Sequence, residues 1–150
     1  MSSSYVRDQF LAYLKLQVPT ETFIDMDGEI DTLQDLLSNE SVGMQDPWVG
    51  LSYIGNDEIP ISLPANGVKG RYRELGSIHL HIAEMAQVAV AAKILPRAKA
   101  LIDCLRGVRI NDMIVEKVTP PNFGQGATLE LGGGYTSASI IVDYYRDLNL

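Results

Sequence analysis

His79 and His81 stand two residues apart in Ser77-Ile78-His79-Leu80-His81-Ile82. In a strand that spacing puts both imidazoles on one face, where two nitrogens can share a metal. A metal site needs a further donor, and the neighbours on that face, Ser77 and Ala83, offer none. The pair therefore reads as exposed or interface histidines. Cys104 is the single cysteine, near the end of a helix-like stretch with no His nearby, and reads as a small core residue rather than a nucleophile. Alone, it forms neither an intrachain disulfide nor a cysteine-based zinc cluster, which fits a reducing compartment. Gly132-Gly133-Gly134 lies between two strand-like runs, whereas a dinucleotide phosphate cradle needs a helix after its glycines. Arg71-Tyr72-Arg73 interleaves basic and aromatic residues, as a nucleic-acid contact does, but an interface at a loop-to-strand junction explains three residues equally well.

The most enzyme-like stretch is Phe23-Ile24-Asp25-Met26-Asp27-Gly28. It resembles the nucleophile motif of haloacid-dehalogenase-type phosphatases, in which one Asp attacks phosphorus and the second handles the leaving group. That chemistry also requires a hydroxyl residue and a Lys to hold phosphate, and a downstream acidic pair for magnesium. Here Glu29 stands where a small hydroxyl residue is usual, and no such acidic pair stands out. A calcium loop fails as well, because Gly28 falls where a ligand belongs. An acidic turn is the simpler reading, and no cofactor is expected.

The elements that carry these residues follow from hydrophobic spacing. Ser4 to Val18 reads as a helix, with Val6, Phe10, Tyr13, Leu14 and Gln17 at helical intervals, Leu11 and Leu16 widening the apolar face, and Pro19 ending it. Thr22 to Met26 predicts a short strand, and Thr32 to Ser38 a short helix capped by Asp31. Trp48 to Ile54 predicts a strand, Gly55-Asn56-Asp57 a turn, and Ile59 to Leu63 a second strand in which Pro60 marks an edge or a start. Pro64 to Gly70 is a polar connection. A strand then alternates Ile78, Leu80 and Ile82 against Ser77, His79, His81 and Ala83. An alanine-rich helix from Val88 to Arg106 carries Val90, Ile94, Ala98, Leu101, Ile102 and Leu105 on one stripe; Pro96 either kinks it or starts its regular part, and Gly107 stops it. Strands follow at Val108 to Val118 (broken at Asn111-Asp112 or bent through it), Thr128 to Leu131 and Tyr135 to Arg146, with Thr119 to Gly126 an exposed loop. This order is not the alternation of a parallel α/β sheet. It predicts one α+β domain over residues 1–150, a mainly antiparallel sheet flanked by an N-terminal helix and a central alanine-rich helix.

Charge is unevenly placed along the 150 residues, whose net charge is −7. Between Leu16 and Val68 there are ten carboxylates and no Lys or Arg; from Lys69 to Arg109 eight basic residues face three acidic ones. An acidic total argues against gripping nucleic acid, which needs a basic face. The two blocks either are solvated and pair inside one chain, or form acidic and basic faces that meet between subunits; a head-to-tail contact of that kind closes into a ring when its rotation permits. No apolar run is long enough for a membrane span, and the N-terminus lacks the pattern of a cleaved signal.

Several segments in succession carry a likeness. Asp46-Pro47-Trp48-Val49-Gly50-Leu51-Ser52-Tyr53 is followed by a polar connection, Arg71-Tyr72-Arg73-Glu74-Leu75-Gly76-Ser77-Ile78-His79-Leu80-His81-Ile82, the alanine-rich helix, Pro120-Pro121, Gly132-Gly133-Gly134-Tyr135 and Ser139-Ile140-Ile141-Val142-Asp143-Tyr144-Tyr145. This succession resembles the tail terminator, or tail completion, proteins of long-tailed bacteriophages, over most of the chain. The resemblance implies a structural virion protein without enzyme activity or cofactor, made in the host cytoplasm. It implies a homohexameric ring at the head-proximal end of the tail, capping the tail tube, ending its growth and joining it to the neck or head connector. Genomic DNA would pass through the lumen without specific binding, which an acidic lining suits. Gly28 to Gln45 departs from the pattern as an elaboration. The alternatives are a head-completion or neck protein, a tail-tube-type ring protein, and, from another class, a small phosphatase-like enzyme using Asp25 and Asp27.

Two segments are the candidate interfaces to a neighbouring subunit or tail partner. Lys69, Arg71, Tyr72 and Arg73 lie in the basic block, in what reads as an extended connection before the central strand. Pro120, Pro121, Asn122 and Phe123 lie in the Pro- and Gly-rich loop.

Overall fold

The computed structural model describes residues 2–27, 47–62, 70–85, 90–123 and 135–149. Its elements are α1 (Ser2–Gln17), β1 (Phe23–Asp25), β2 (Trp48–Pro60), β3 (Arg71–Met85), α2 (Val90–Leu105), β4 (Arg109–Ile110), β5 (Met113–Val118) and β6 (Tyr135–Asn149). The strands form one sheet in the order β1-β2-β3-β6-β5-β4. Every pairing is antiparallel except β1 with β2. This is the expected α+β architecture. The expected helix at Thr32 to Ser38, strand at Thr128 to Leu131 and turn at Gly132 to Gly134 lie outside the described residues.

Hydrophobic periodicity explains the helices. In α1, Val6, Phe10 and Leu14 are fully buried and Leu11 nearly so, a stripe at the three-to-four-residue interval. Leu16 does not widen it: the side chain is 77% exposed, because two residues past Leu14 is about 200° around the helix. In α2, Ile94, Ala98, Leu101, Ile102 and Leu105 face inward. Pro96 sits inside the helix, six residues from its start, rather than opening it.

The helices cover one sheet face. Ile78, Leu80 and Ile82 of β3 pair across to Val142, Ile140 and Ala138 of β6, and to Tyr53, Leu51 and Val49 of β2. With Met113 and Val115 of β5 and the helix stripes they make one core. Fully burying a side chain of this size contributes about 1.5–3 kcal/mol. Gly76 lies opposite Tyr144, and the Tyr144 ring occupies the space a Cβ at 76 would need. The missing side chain lets an aromatic ring pack directly against the backbone.

Three strand expectations are corrected. Gly55-Asn56-Asp57 is not a turn; β2 runs from Trp48 to Pro60 as one strand, with a bulge between Tyr53 and Gly55. Gly55 has φ 128°, open to glycine at no steric cost, so the strand kinks there without reversing. Arg71-Tyr72-Arg73 is the beginning of β3 and not a connection, because Pro60 and Ile59 supply it with a partner strand. At Asn111-Asp112 the chain does break, into the β4–β5 hairpin, with Asn111 at φ 53°, a left-handed conformation that Asn tolerates. The last strand continues to Asn149, three residues past the expected Arg146.

Candidate functional site

Of the sequence-derived interface residues, Arg71, Tyr72 and Arg73 lie at the far end of the β2–β3–β6 arm. The Arg71 amide donates to Ser62 Oγ at 2.8 Å, and its carbonyl accepts from the Ile61 amide at 2.9 Å, tying the start of β3 to the two residues just past β2. The Arg71 side chain is exposed. Arg73 is engaged within the chain: Nε and Nη2 donate to the two Asp147 oxygens at 2.7 and 3.2 Å, and its guanidinium stacks 4.3 Å over Tyr145. The bidentate contact holds the Asp147 carboxyl below its usual range and the Arg73 guanidinium more firmly charged. Lys69 lies outside the described residues.

Pro120 to Phe123 run beside β6. Thr119 and Asn122 amides donate to the carbonyls of Ile141 and Ser139, and the Ser139 amide returns a bond to Asn122. The first half of the expected loop is thus tied to the sheet, while Phe123 remains 42% exposed. The structure does not bring the two candidate segments together; both pair with β6 but far apart along it, Arg71 to Arg73 against Asn149 to Asp147 and Asn122 against Ser139.

His79 and His81 lie on the sheet face away from the helices, as alternation predicts, but the expectation of exposure fails for His81. It is 4% exposed. Nε2 lies 3.1 Å from Ser52 Oγ and Nδ1 3.1 Å from Ser139 Oγ. Neutral imidazole donates through one nitrogen and accepts through the other, so one tautomer satisfies both hydroxyls. Burial, reinforced by the neighbouring His79, lowers its pKa to about 4. Burial also lowers that of His79, with Asp143 opposing. The Ser52–His81–Ser139 chain has the outline of a nucleophile, base and orienting group. A base this weak takes a hydroxyl proton poorly at neutral pH, and the chain reads as a polar brace joining β2, β3 and β6. Among the described residues no group of three His, Cys, Asp or Glu side chains can hold a metal. Cys104 is half-buried and donates to the Leu101 carbonyl at 3.2 Å, and burial pushes its thiol up, as for a packed residue rather than a nucleophile.

Asp25 and Asp27 are structural ligands of their own chain. Arg7 of α1 reaches Asp25 at 3.7 Å and Asp27 at 3.3 Å. Asp25 Oδ1 accepts from the Asp27 amide at 3.1 Å, and Asp27 Oδ2 from the Tyr53 amide at 2.9 Å. The second bond satisfies an outward amide of β2 just past the end of β1.

Arg97 was not legible as a site residue, yet it joins the two charge blocks. From the first half of α2 it makes two 2.7 Å bonds to Glu21, and meets Glu84 Oε2 at 3.0 Å, the Ala83 carbonyl at 2.9 Å and the Trp48 carbonyl at 3.2 Å. A second pair, Arg146 with Glu74, sits in the core at the other end of the sheet, with the Arg146 guanidinium 4.7 Å over the Tyr5 ring. The acidic and basic blocks therefore pair in part inside one molecule. The carboxylates Asp57 and Glu58 and the cations Lys93, Lys99 and Arg106 are exposed and take part in none of the ion pairs among the described residues.

Two surface depressions flank this framework. An open groove of about 610 Å³ lies at the β2 bulge, and Asp57, Glu116, Asp143, Gly76 and Tyr144 are among the residues that line it. A second, of about 400 Å³, lies between α2 and Pro121. No protein-family model matches the sequence, and no curated protein matches it.

Proposed function

We propose that the chain is a ring-forming structural protein of the tail-terminator type, capping a phage tail tube and joining it to the neck. The observation that carries the reading is the β2–β3–β6 arm beyond the Glu74–Arg146 pair. There Ile59 and Ile61 are 42% and 38% exposed beside exposed Asp57 and Glu58. Among the described residues no strand pairs with the outer edge of β2 past Leu51. A long edge with exposed isoleucines is a surface that associates unless it is covered. The likeness of the ordered segments to tail terminators supplies the form of association, a closed ring. The internal engagement of Asp25 and Asp27 speaks against the phosphatase-like alternative.

The test is microscopy of the purified chain, alone and mixed with tail-tube protein. Six-membered rings seated on tube ends are expected. A strict monomer that leaves tubes open-ended would overturn the reading, as would magnesium-dependent phosphatase turnover abolished by Asp25→Asn.

A further inference from the structure

We infer that the far end of β2 in one copy seats in the groove between α2 and Pro121 of the next copy, joining subunits head to tail. The inference rests on the ring reading and names the surfaces that would close it. Of the six large hydrophobic side chains exposed among the described residues, three (Ile54, Ile59 and Ile61) belong to this end of β2 and the residue just past it. Ile54 is thrown outward by the bulge, and Asp57 and Glu58 stand between it and Ile59. Two of the other three, Leu95 and Phe123, belong to α2 and to the segment just past Pro121.

The two surfaces match in sign, and both set charged beside apolar positions. Leu95, Lys99, Ile102 and Arg106 succeed one another at four-, three- and four-residue spacing along α2 and the turn after it, with Ile102 buried at 8% exposure and Pro121 also lining the groove. Apolar and basic positions thus alternate along the groove, with Asp103 the one carboxylate on its lining. Past the bulge in β2, Asp57 and Ile59 share one face and Glu58 stands on the other, so the free edge carries carboxylates on both sides beside its isoleucines. Other charges of the two blocks are engaged internally: Glu21 and Glu84 by Arg97, Asp25 and Asp27 by Arg7, Arg73 by Asp147. Asp57 and Glu58 on one surface, and Lys99 and Arg106 on the other, form no such pair among the described residues. The occupant that fits an apolar groove with basic positions is an extended apolar strand with carboxylates, and the chain carries one. Since the two surfaces differ, the contact is heterologous and propagates in one direction, as closure into a ring requires. Opposite charges fix its register and speed its formation more than they deepen it.

The test uses the full chain and light scattering across a concentration series at low and high salt. Lys99→Glu with Arg106→Glu should raise the concentration needed for assembly by about tenfold or more, and Asp57→Lys with Glu58→Lys should do the same. All four changes in one chain exchange the charges and should restore assembly. In a Cys104→Ser background, Ile59→Cys with Leu95→Cys should give disulfide-linked multimers on oxidation. Unaltered assembly in either charge-reversed variant, failure of the exchanged chain to reassemble, or cross-linking no greater than with one cysteine alone would overturn the docking. A wild-type chain that stays monomeric at every concentration overturns the ring reading and the docking together. A wild-type multimer indifferent to all these changes overturns the docking only.

Discussion

His81 illustrates what a single buried titratable side chain does to the stability of this sheet. Its ring is held between two hydroxyls on neighbouring strands, and burial keeps it neutral, with a pKa of about 4 against 6.5 for the free side chain. The neutral form is thus the one the fold selects. Above pH 6.5 the imidazole is neutral in folded and unfolded chains alike, and the full stability is present. As pH falls from 6.5 towards 4 only the unfolded chain takes up the proton, so stability is lost across that window. The loss attributable to this residue is on the order of 3 kcal/mol. Urea unfolding at pH 7 and pH 4.5 should show a steeper loss in the wild type than in His81→Gln; equal losses in the two proteins would remove the idea.

At the scale of elements, Arg97 and the β2 bulge decide how helix and sheet meet. Arg97 ties α2 to the carbonyls of Trp48 on β2 and Ala83 on β3, and to Glu21 in the connection after α1. The side chains of this cluster are 15%, 11% and 10% exposed for Arg97, Glu21 and Glu84. Removing the cation leaves two largely buried carboxylates uncompensated, which costs about 3–5 kcal/mol. Arg97→Met, which keeps the apolar stem, should therefore lower unfolding stability by that amount in denaturant titrations. A loss below about 1 kcal/mol, the size of an exposed pair, would show that the cluster is solvated. The bulge acts differently: it inserts Ile54 as an extra residue and lets β2 continue to Pro60, so the chain reversal lies beyond Pro60 and the arm is long.

For the molecule as a whole, the division of charge matters more than the total. Arg73 is held by Asp147 through a bidentate contact within the arm, whereas the Arg71 side chain two residues away is exposed and acts on the same carboxylate through its charge. Charge reversal separates the two roles. Arg71→Glu should weaken assembly at low salt, by less at high salt, and lower the unfolding midpoint by less than Arg73→Glu does. Arg73→Glu should lower the midpoint itself, since it sets a second carboxylate against Asp147. Light scattering at two ionic strengths, paired with thermal unfolding, distinguishes them. Identical behaviour of the two variants would contradict the assignment of one to the arm's internal structure and the other to its surface.

The alternation of Ile78, Leu80 and Ile82, the matching alternation from Ala138 to Tyr144, and the apolar stripes of both helices were legible without coordinates. They express side-chain periods of 2 and 3.6 residues, which are local properties of the chain. The same locality limits them. Gly55-Asn56-Asp57 has the composition of a turn, and only the presence of β3 alongside makes it a bulge in a continuing strand. His81 alternates onto the face opposite the helices, which reads as outward; its burial depends on Ser52 and Ser139, 29 and 58 residues away. Arg97 carries no local sign that its partners are Glu21 and Glu84. The phosphatase-like aspartates likewise look available until Arg7 and the Tyr53 amide are placed beside them. The α+β class, the apolar faces and the two opposed charge blocks follow from the order of the residues. The tertiary structure alone decided which of those charges meet inside one molecule and which stay at its surface, because pairing is set by strand register and helix placement between residues far apart in the chain.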